Sequence, residues 1–530
     1  PKYYRYLCSL QADGINSISS RELAAQMGTT ASQVRQDFNC IGDVNGRQGI
    51  GYSVENLLSI LEGLLFGNGD RLPTILIGCG RLGKAVSRFI TTDTNGYRLI
   101  AAFDVAQSEV GKEISGIQIR HIDELESFCA EHHPKVAVLC VPRDGAEQVS
   151  GRLVDLGIEG FWNDMNEPSL FYSPERLRAF LNDMAALREK DNIEQEEFFL
   201  RVVGGAMGLM NSPADYASFY HEVDGQKVRH DQVHNLYGGS MTRAAGEAFA
   251  DLRPGQRTLL YSRSSFIGSH RYGGIWLGDN NSSWAQLLAN IQMMPSVQMC
   301  GFLYSGADLC GFSSDTTPDL ALRWLEFGLL TPLMRNHSAV GTRMQEYYCF
   351  PEVLPAVRNM IRLRYALLPY LYSEFMKAAL ENTSYFRPLA FDYPDDPDAR
   401  EVEDQLLLGE GLMAAPVYVQ NAHGRHVYLP EPMKLLRLRA VDDYDEEILP
   451  AGHHYIRCAL DEVLLFLRPG HIVPVAQPAN NTSELDDASL TLWSFLPDGE
   501  SAEYRMYRDD GVTTEYEKKE HWKTLQIHHS

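Results

Sequence analysis

The sequence predicts a multidomain chain, α/β over most of its length and all-β towards its C-terminus. Two stretches and one pattern predict it. Residues 74–104 read as strand, glycine-rich turn, helix and second strand, the layout of a dinucleotide-binding unit. Gly160 to Leu170, GFWNDMNEPSL, reads as a short buried strand whose C-terminal end carries carboxylates and is stopped by Pro168. After it, short apolar strands alternate with helices and end in polar residues, where parallel β/α enzymes keep their chemistry.

Size and charge bound the rest. The 530 residues suffice for three or four domains of roughly 150 residues each. Hydrophobic content of 44% allows ordinary globular cores, and no run of about 18 apolar residues predicts a membrane span. The chain starts at Pro1 with no Met and no signal-peptide pattern, which reads as a fragment. Nine cysteines without CxxC or regular spacing read as reduced thiols and a cytoplasmic setting. Residues 1–160 carry 15 Lys+Arg against 19 Asp+Glu, and the remainder 32 against 51. The acidic C-terminal part argues against nucleic acid there and suits a neutral substrate such as a sugar. The first 60 residues balance at 5 and 5, which permits a local basic face.

Residues 1–70 are expected to form a winged helix-turn-helix domain. Ser19 and Glu22 have capping-box spacing and open a helix to about Met27. Gly28-Thr29-Thr30 is a turn, and Thr30 to Gln33 repeats the spacing for a second helix through Phe38. That helix carries Ser32, Gln33, Arg35 and Gln36, side chains able to reach base edges or phosphates. Arg47 tips a glycine-rich loop, Gly46 to Tyr52, that reads as the wing. The competing reading is a small helical core with no DNA role.

Residues 71–159 are expected to form a Rossmann NAD-binding domain. The strand Thr74–Ile77 leads into Gly78-Cys79-Gly80-Arg81-Leu82-Gly83 and a helix from Lys84. A second strand, Leu99–Phe103, ends in Asp104, 21 residues after Gly83. The glycines permit a tight turn and close approach to a pyrophosphate, and Asp104 would accept from the ribose hydroxyls of NAD(H). Val136–Val141 is a further buried strand. A sheet of this kind that has lost its ligand is the alternative.

Tyr3-Tyr4-Arg5-Tyr6-Leu7, Ile18 to Leu23, Val34-Arg35-Gln36-Asp37-Phe38, Ala101-Ala102-Phe103-Asp104 and His121 to Leu125, in this order, resemble Rex, the redox-sensing transcriptional repressors. The resemblance covers about residues 1–160. It implies a homodimer that releases operator DNA when NADH binds. Rex chains continue into a C-terminal helix exchanged between subunits, and nothing here matches that helix.

W-N-D-M-N-E-P and Arg263 to Asn280, RSSFIGSHRYGGIWLGDN, resemble glycoside hydrolase family 31, the α-glucosidase family. Gly160 to Asn163 fits both families, and the chain passes between them with no linker, so it reads as a chimera. The resemblance implies a retaining mechanism with Asp164 as nucleophile and Asp279 as acid/base, acting on an α-glucoside or oligosaccharide with no cofactor and no metal. Asp279 must have its pKa raised, and Arg263 is the partner for Asp164. Met165, Trp276 and Phe312 match apolar walls of the sugar pocket, and Asp308 and His337 match groups that bind sugar hydroxyls.

Expected strands are Thr258–Tyr261, Ile275–Gly278, Phe302–Tyr304 and Leu333–Arg335, with an insertion over 187–229. By the resemblance, residues 160–385 form a partial (β/α)8 barrel, strands 4–8, without the first three strands and the β-sandwich ahead of them. Residues 386–478 and 479–530 match two C-terminal β-sandwich domains. Asp509-Asp510, at the tip of the second, reads as a solvated turn rather than a calcium site. Three functions are then in play: an α-glucosidase fused to an NADH-sensing module, a redox-responsive DNA-binding repressor, or an inactive chimera with both sites incomplete.

Overall fold

The computed structural model describes residues 3, 6–7, 10–11, 15–27, 30–31, 34–35, 38, 51–66, 72–91, 97–134, 136–140, 160–169, 171–190, 192–210, 212–223 and 225–528. The chain divides into two compact units, one built on residues 1–158 and the other on 159–339 and 345–530.

In the first unit, strand β1 (Ser17–Ile18) precedes helix α1 (Ser20–Met27). The expected capping box forms: Glu22 N–H donates to Ser19 Oγ at 3.2 Å and Ser19 N–H donates to Glu22 Oε2 at 2.9 Å. Val34 N–H donates to the Thr30 carbonyl at 3.1 Å, the first turn of the second expected helix. Strand β2 (Tyr52–Ser53) pairs antiparallel with β1 and runs into helix α2 (Val54–Phe66). Leu7, Ile18, Leu23, Val34, Phe38, Val54 and Leu57 close the core beneath them.

A parallel sheet follows. Strands β3 (Leu72–Ile77), β4 (Tyr97–Asp104), β6 (Ile117–His121) and β7 (Val136–Leu139) lie in the order β6-β4-β3-β7, with β5 (Glu113–Ile114) antiparallel at the β6 edge. That is the 3-2-1-4 order of half a dinucleotide-binding sheet. Helix α3 (Arg81–Thr91) starts three residues earlier than expected, because Lys84 N–H already donates to the Gly80 carbonyl at 2.9 Å. Helix α4 (Leu125–His132) packs Phe128 edge-on against Phe103 of β4, ring centroids 5.6 Å apart.

The second unit opens with β8 (Gly160–Asn163), followed by helix α5 (Pro174–Arg188), whose N-cap Ser173 accepts from Arg176 N–H. The expected insertion contains a hairpin, β9 (Tyr220–Val223) with β10 (Gln226–Arg229), ahead of helix α6 (His230–Leu252). Strands β11 (Leu259–Ser262), β12 (Gly274–Trp276) and β13 (Ser305–Gly306) join β8 in a parallel sheet of order β8-β11-β12-β13. Helix α7 (Trp284–Met299) lies between β12 and β13. After them, β14 (Asp308–Leu309) and β15 (Arg335–Asn336) pair in parallel around helix α8 (Pro318–Gly328).

Two strands sit further along the chain than expected, at 305–309 rather than 302–304 and at 335–336 rather than 333–335. The cause is backbone approach: a Cβ at Gly306 would lie 2.2 Å from the Leu333 carbonyl oxygen, so the small Ser305-Gly306 pair makes the ladder, not the apolar run before it.

Helix α9 (Leu354–Glu381) carries the C-terminal sheets. Strands β16 (Phe386–Pro388), β17 (Leu406–Leu408), β18 (Leu412–Ala414), β20 (Met433–Leu438), β21 (Tyr444–Leu449) and β23 (Val463–Leu467) form one six-stranded sheet, order β16-β17-β18-β23-β20-β21. Its period-2 alternation is used on both faces. Leu412, Ala414, Leu436, Leu438, Leu465 and Leu467 join the core holding Trp324, Leu325 and Leu367, while Met413, Leu435, Leu464 and Phe466 pack with Val427 of β19 (Gly424–Leu429) and Ile456 of β22 (Gly452–Arg457).

Strand β24 (Ile472–Val475) pairs with β25 (Thr491–Ser494), so hydrogen bonding crosses the expected boundary at 478. The hairpin of β26 (Ser501–Tyr507) and β27 (Trp522–His528) ends the fold. Asp509 is not a solvated turn residue: its carboxylate is buried, pairs with Arg257, and accepts from the hydroxyls of Tyr372 and Tyr507. Asp510 keeps the turn role, accepting from the Val512 and Thr513 amides.

Two stability predictions arise here. Arg323, buried in α8, donates to Glu326 at 2.8 Å and to the carbonyls of Ala459 and Glu462 at 2.7 and 3.1 Å. Burial drives the Glu326 pKa up even against this partner. Arg323→Met strands that carboxyl and is expected to lower unfolding free energy by about 3–5 kcal/mol in urea titration, with partial recovery when Glu326→Leu is added.

His230, also buried, has its pKa lowered to about 4, by burial first and then by His221 and His234. Its folded value lies below the unfolded value, so stability is complete above the unfolded pKa of about 6.5 and is lost as pH falls from there towards 4. The full shift is worth about 3 kcal/mol. Melting temperature followed from pH 7.5 to 4.5 should fall less in His230→Asn than in the parent chain.

Candidate active site and nucleotide-binding turn

The strand ends converge on Arg263, the residue after β11. Its backbone N–H donates to the Asn163 carbonyl at 3.0 Å, continuing the β8–β11 pairing past the strand ends. Its guanidinium then meets three carboxylates: Nη1 lies 3.0 Å from Asp164 Oδ1 and 3.6 Å from Asp279 Oδ2, and Nε lies 2.8 Å from Glu167 Oε1. Two carboxylate oxygens sharing one nitrogen can be no more than about 6.6 Å apart. Retaining glycosidases hold their pair about 5–5.5 Å apart and inverting ones about 6.5–9.5 Å, so the upper bound here sits at the very edge of the inverting range.

The carboxylates are differentiated. Burial raises the Asp279 pKa, Arg263 opposes it, and the charges of Asp164 and Glu167 add to the rise. This is the direction a general acid needs. At Glu167 burial also pushes upwards, but hydrogen bonds from Arg263 and Ser169 outweigh it and hold the carboxyl below its usual range. Asp164 is half exposed, and its Oδ1 accepts the Met165 N–H at 2.7 Å. Met165 has φ +56°, which turns the chain sharply beyond the acid.

A second cation, Arg335, completes the floor. It pairs with the fully buried Asp308 and stacks over Trp162, 4.2 Å from the ring centroid, with Trp276 at 5.7 Å. Trp162 and Trp276 are 4.6 Å apart. Burial pushes Asp308 up to about 6 against the pull of Arg335. Its Oδ2 is buried without a hydrogen-bond partner, an acceptor in want of a donor. Phe312 and His337 face one another with ring centroids 5.4 Å apart, and burial lowers the His337 pKa. Asn280 ties the rim together, accepting from Phe312 N–H at 2.8 Å and donating to the Asp308 carbonyl at 3.0 Å.

Asp164, Met165, Arg263, Trp276, Asp279, Asp308, Phe312 and His337 therefore all lie at or just beyond the ends of successive strands of one unit. Sequence reasoning assigned no role to Glu167, Arg335, Trp162 or Asn280. Glu167 and Trp162 were legible only as neighbours of Asp164 in the motif. Arg335 stands two residues before His337, and its pairing with Asp308, 27 residues away, has no sequence signal.

In the first unit the glycines divide the work. Gly78 has φ +94°, and its N–H donates to the Phe103 carbonyl at 2.8 Å, the tight turn. A Cβ at Gly83 would lie 1.9 Å from the Gly78 carbonyl oxygen, so helix and strand pack too closely for a side chain. A Cβ at Gly80 would meet no atom within 4 Å, leaving an open cradle. Arg81 and Leu82 open helix α3 beside it. Asp104 is buried, with Oδ2 accepting from Cys79 N–H at 2.6 Å and Oδ1 from Ala106 N–H at 2.8 Å. Oδ2 thereby braces the glycine-rich turn and Oδ1 the segment after β4, structural roles beside the expected ribose contact. Of the residues expected to touch DNA, Arg35 is exposed and donates to Ser20 Oγ at 3.2 Å, while Ser32, Gln33, Gln36 and Arg47 lie outside the described residues.

Residues 145–374 match the Glycosyl hydrolases family 31 TIM-barrel domain and residues 382–473 the Glycosyl hydrolase family 31 C-terminal domain. This part of the chain belongs to glycosyl hydrolase family 31. Alpha-glucosidase 2 of Bacillus thermoamyloliquefaciens is 32% identical over 366 residues, covering 69% of this chain and 41% of that protein. Lysosomal alpha-glucosidase of Bos taurus is 32% identical, covering 67% of this chain and 37% of that protein. The chain thus spans about two fifths of the length of these curated relatives.

The glucosidase II alpha subunit with alpha3-Glc2 bound superposes with a TM-score of 0.52 at 29% identity, over 57% of this chain and 33% of that one. A Flavobacterium johnsoniae family 31 dextranase complexed with glucose shares the fold, TM-score 0.57 at 20% identity, over 87% of this chain and 59% of that one. Residues 71–166 match a CoA binding domain and residues 1–39 a Putative DNA-binding protein N-terminus. The CoA-binding and barrel matches overlap over residues 145–166, the stretch around Gly160–Asn163 where the two sequence patterns merge. These matches fit a chimera. Among the described residues, no helix is long and apolar enough to cross a membrane and no group of three or more His, Cys, Asp or Glu side chains is placed to hold a metal ion.

Proposed function

We propose that residues 160–530 act as a retaining α-glucosidase on the non-reducing ends of α-linked glucosides, with Asp164 as nucleophile and Asp279 as acid/base. The observation that carries this reading is the single Arg263 nitrogen shared by both carboxylates, together with the raised Asp279 pKa. In the first step Asp164 forms a bond to the anomeric carbon as the glycosidic C–O bond breaks and Asp279 gives its proton to the leaving oxygen. In the second, Asp279 takes a proton from water, whose oxygen displaces Asp164 and releases glucose. Arg263 neutralises the negative charge that returns to the site as Asp164 leaves. The Trp162–Trp276 wall and the Asp308–Arg335 pair offer an apolar face and polar partners to one sugar ring. Strands β8, β11, β12, β13 with β14, and β15 then stand for barrel strands 4–8.

Hydrolysis of a chromogenic α-glucoside by the purified chain tests the reading. Release of the chromophore supports it, and a folded chain without turnover rejects activity in this chain and leaves the inactive chimera.

A second reading belongs to residues 1–159, an NAD(H)-binding module with a winged helix-turn-helix that binds operator DNA as a homodimer. The three glycine geometries favour it: turn at Gly78, open cradle at Gly80, close packing at Gly83. Backbone donors at the start of α3 would hold the pyrophosphate there, and Asp104 would hold the ribose as well as the turn. NADH that leaves operator affinity unchanged would remove this reading.

A further inference from the structure

An open cavity of about 420 Å³ lies on the insertion side of the second unit, lined by Tyr216, Asp231, Gln232, His234, Asn235 and Phe266 among others. That volume falls within the range of small-molecule sites, about 300–1,000 Å³. None of the strand-end residues assigned to the carboxylate site lines it. Phe266 follows Arg263 by three residues, so the two sites flank one loop.

Behind the cavity runs a chain of imidazoles. His221 Nε2 lies 2.8 Å from His230 Nδ1, and His230 Nε2 lies 3.0 Å from His234 Nδ1. His230 is fully buried and stacks on Phe171, ring centroids 4.3 Å apart, while His234 stacks on Tyr216 at 4.4 Å. With both nitrogens of His230 engaged, each link needs one donor and one acceptor, so the neutral chain runs in one direction or the other. The ring nitrogen of His234 outside the chain is Nε2. It is a donor when the chain runs from His221 and an acceptor when it runs towards His221. A hydroxyl group, both donor and acceptor, satisfies either state.

The rest of the lining points the same way. Tyr216 and Phe266 supply ring faces for C–H surfaces, and Asp231, Gln232 and Asn235 supply acceptors and amide donors. Among the described residues neither Lys nor Arg lines the cavity, and Asp231 there is already paired with Arg229 at 2.7 Å, so the lining offers an anion no unpaired cation and suits a neutral ligand.

We propose that this cavity is a second saccharide site, separate from the carboxylate pocket, in which a neutral hexose unit packs on Tyr216 and Phe266 and one hydroxyl bonds His234 Nε2. It does not depend on turnover at Asp164.

The test is a glucose titration of the full chain labelled with ¹⁵N-histidine, read by long-range ¹H–¹⁵N NMR of the imidazoles. A saturable shift of His234 is expected. Phe266→Ala and Asn235→Ala, both at exposed positions, should weaken it at least about tenfold, whereas Trp276→Ala in the carboxylate pocket should leave it unchanged. An unmoved His234 overturns the proposal. So does a response abolished by Trp276→Ala, which assigns the glucose to the carboxylate pocket, or one untouched by both cavity variants. A chain that shows the His234 response but hydrolyses no glucoside sinks the glucosidase reading and leaves this one standing.

Discussion

Asp164→Asn is expected to lower α-glucoside turnover at least about a thousandfold, or about 4 kcal/mol of barrier, with the fold intact. The substitution is nearly isosteric. An amide oxygen can still accept the Met165 N–H that Asp164 now accepts at 2.7 Å, so the sharp turn at Met165 keeps its support. Arg263 keeps Glu167 and Asp279. What disappears is the anionic oxygen that bonds the anomeric carbon, and no neighbour replaces it: Glu167 is held bidentate by Arg263 Nε and Nη2 at 2.8 and 3.1 Å. Loss of the Asp164 charge also removes one of the influences that raise Asp279. The alkaline limb of any residual pH–rate profile should therefore move to lower pH. A variant with more than a tenth of the parent rate and an unchanged melt would reject Asp164 as nucleophile.

Gly80→Val is expected to weaken NADH binding on the order of 100-fold, about 2.7 kcal/mol, without shifting the melting temperature. The two effects separate because a Cβ at Gly80 meets no protein atom within 4 Å. The added methyl groups would stand in the open cradle, where a pyrophosphate must approach the backbone. Gly83 is the useful contrast. A Cβ there lies 1.9 Å from the Gly78 carbonyl oxygen, so Gly83→Ala should lower stability and binding together. Calorimetric titration of both variants beside thermal melts reads the difference. NADH affinity unchanged in Gly80→Val would reject this turn as the binding site.

Local signals carried much of the architecture. The Ser19–Glu22 capping box and the strand–turn–helix at 74–91 are each set by residues within one or two turns of each other, and both form, the second with its helix starting three residues early. Errors appeared where neighbours distant in sequence decide. The apolar run 302–304 has strand composition, yet the ladder forms at Ser305-Gly306 because the chain at Leu333 comes too close for larger residues. Asp509 has the look of a wet turn until Arg257, Tyr372 and Tyr507 close over it.

The sequence by itself determined the two-family make-up of the chain, the order of its elements and the motif residues Asp164, Arg263 and Asp279. Such features rest on residue type and short spacing, which a linear reading preserves. Only the tertiary structure decided that Arg263 serves three carboxylates, that Arg335 both pairs with Asp308 and stacks on Trp162, that Asp104 braces its own glycine-rich turn, and that three histidines line up behind a cavity. Each of these depends on directions and distances between strand ends and helix faces. Burial then converts those distances into charge states, since a carboxyl or imidazole removed from water responds to its few remaining neighbours far more strongly than an exposed one.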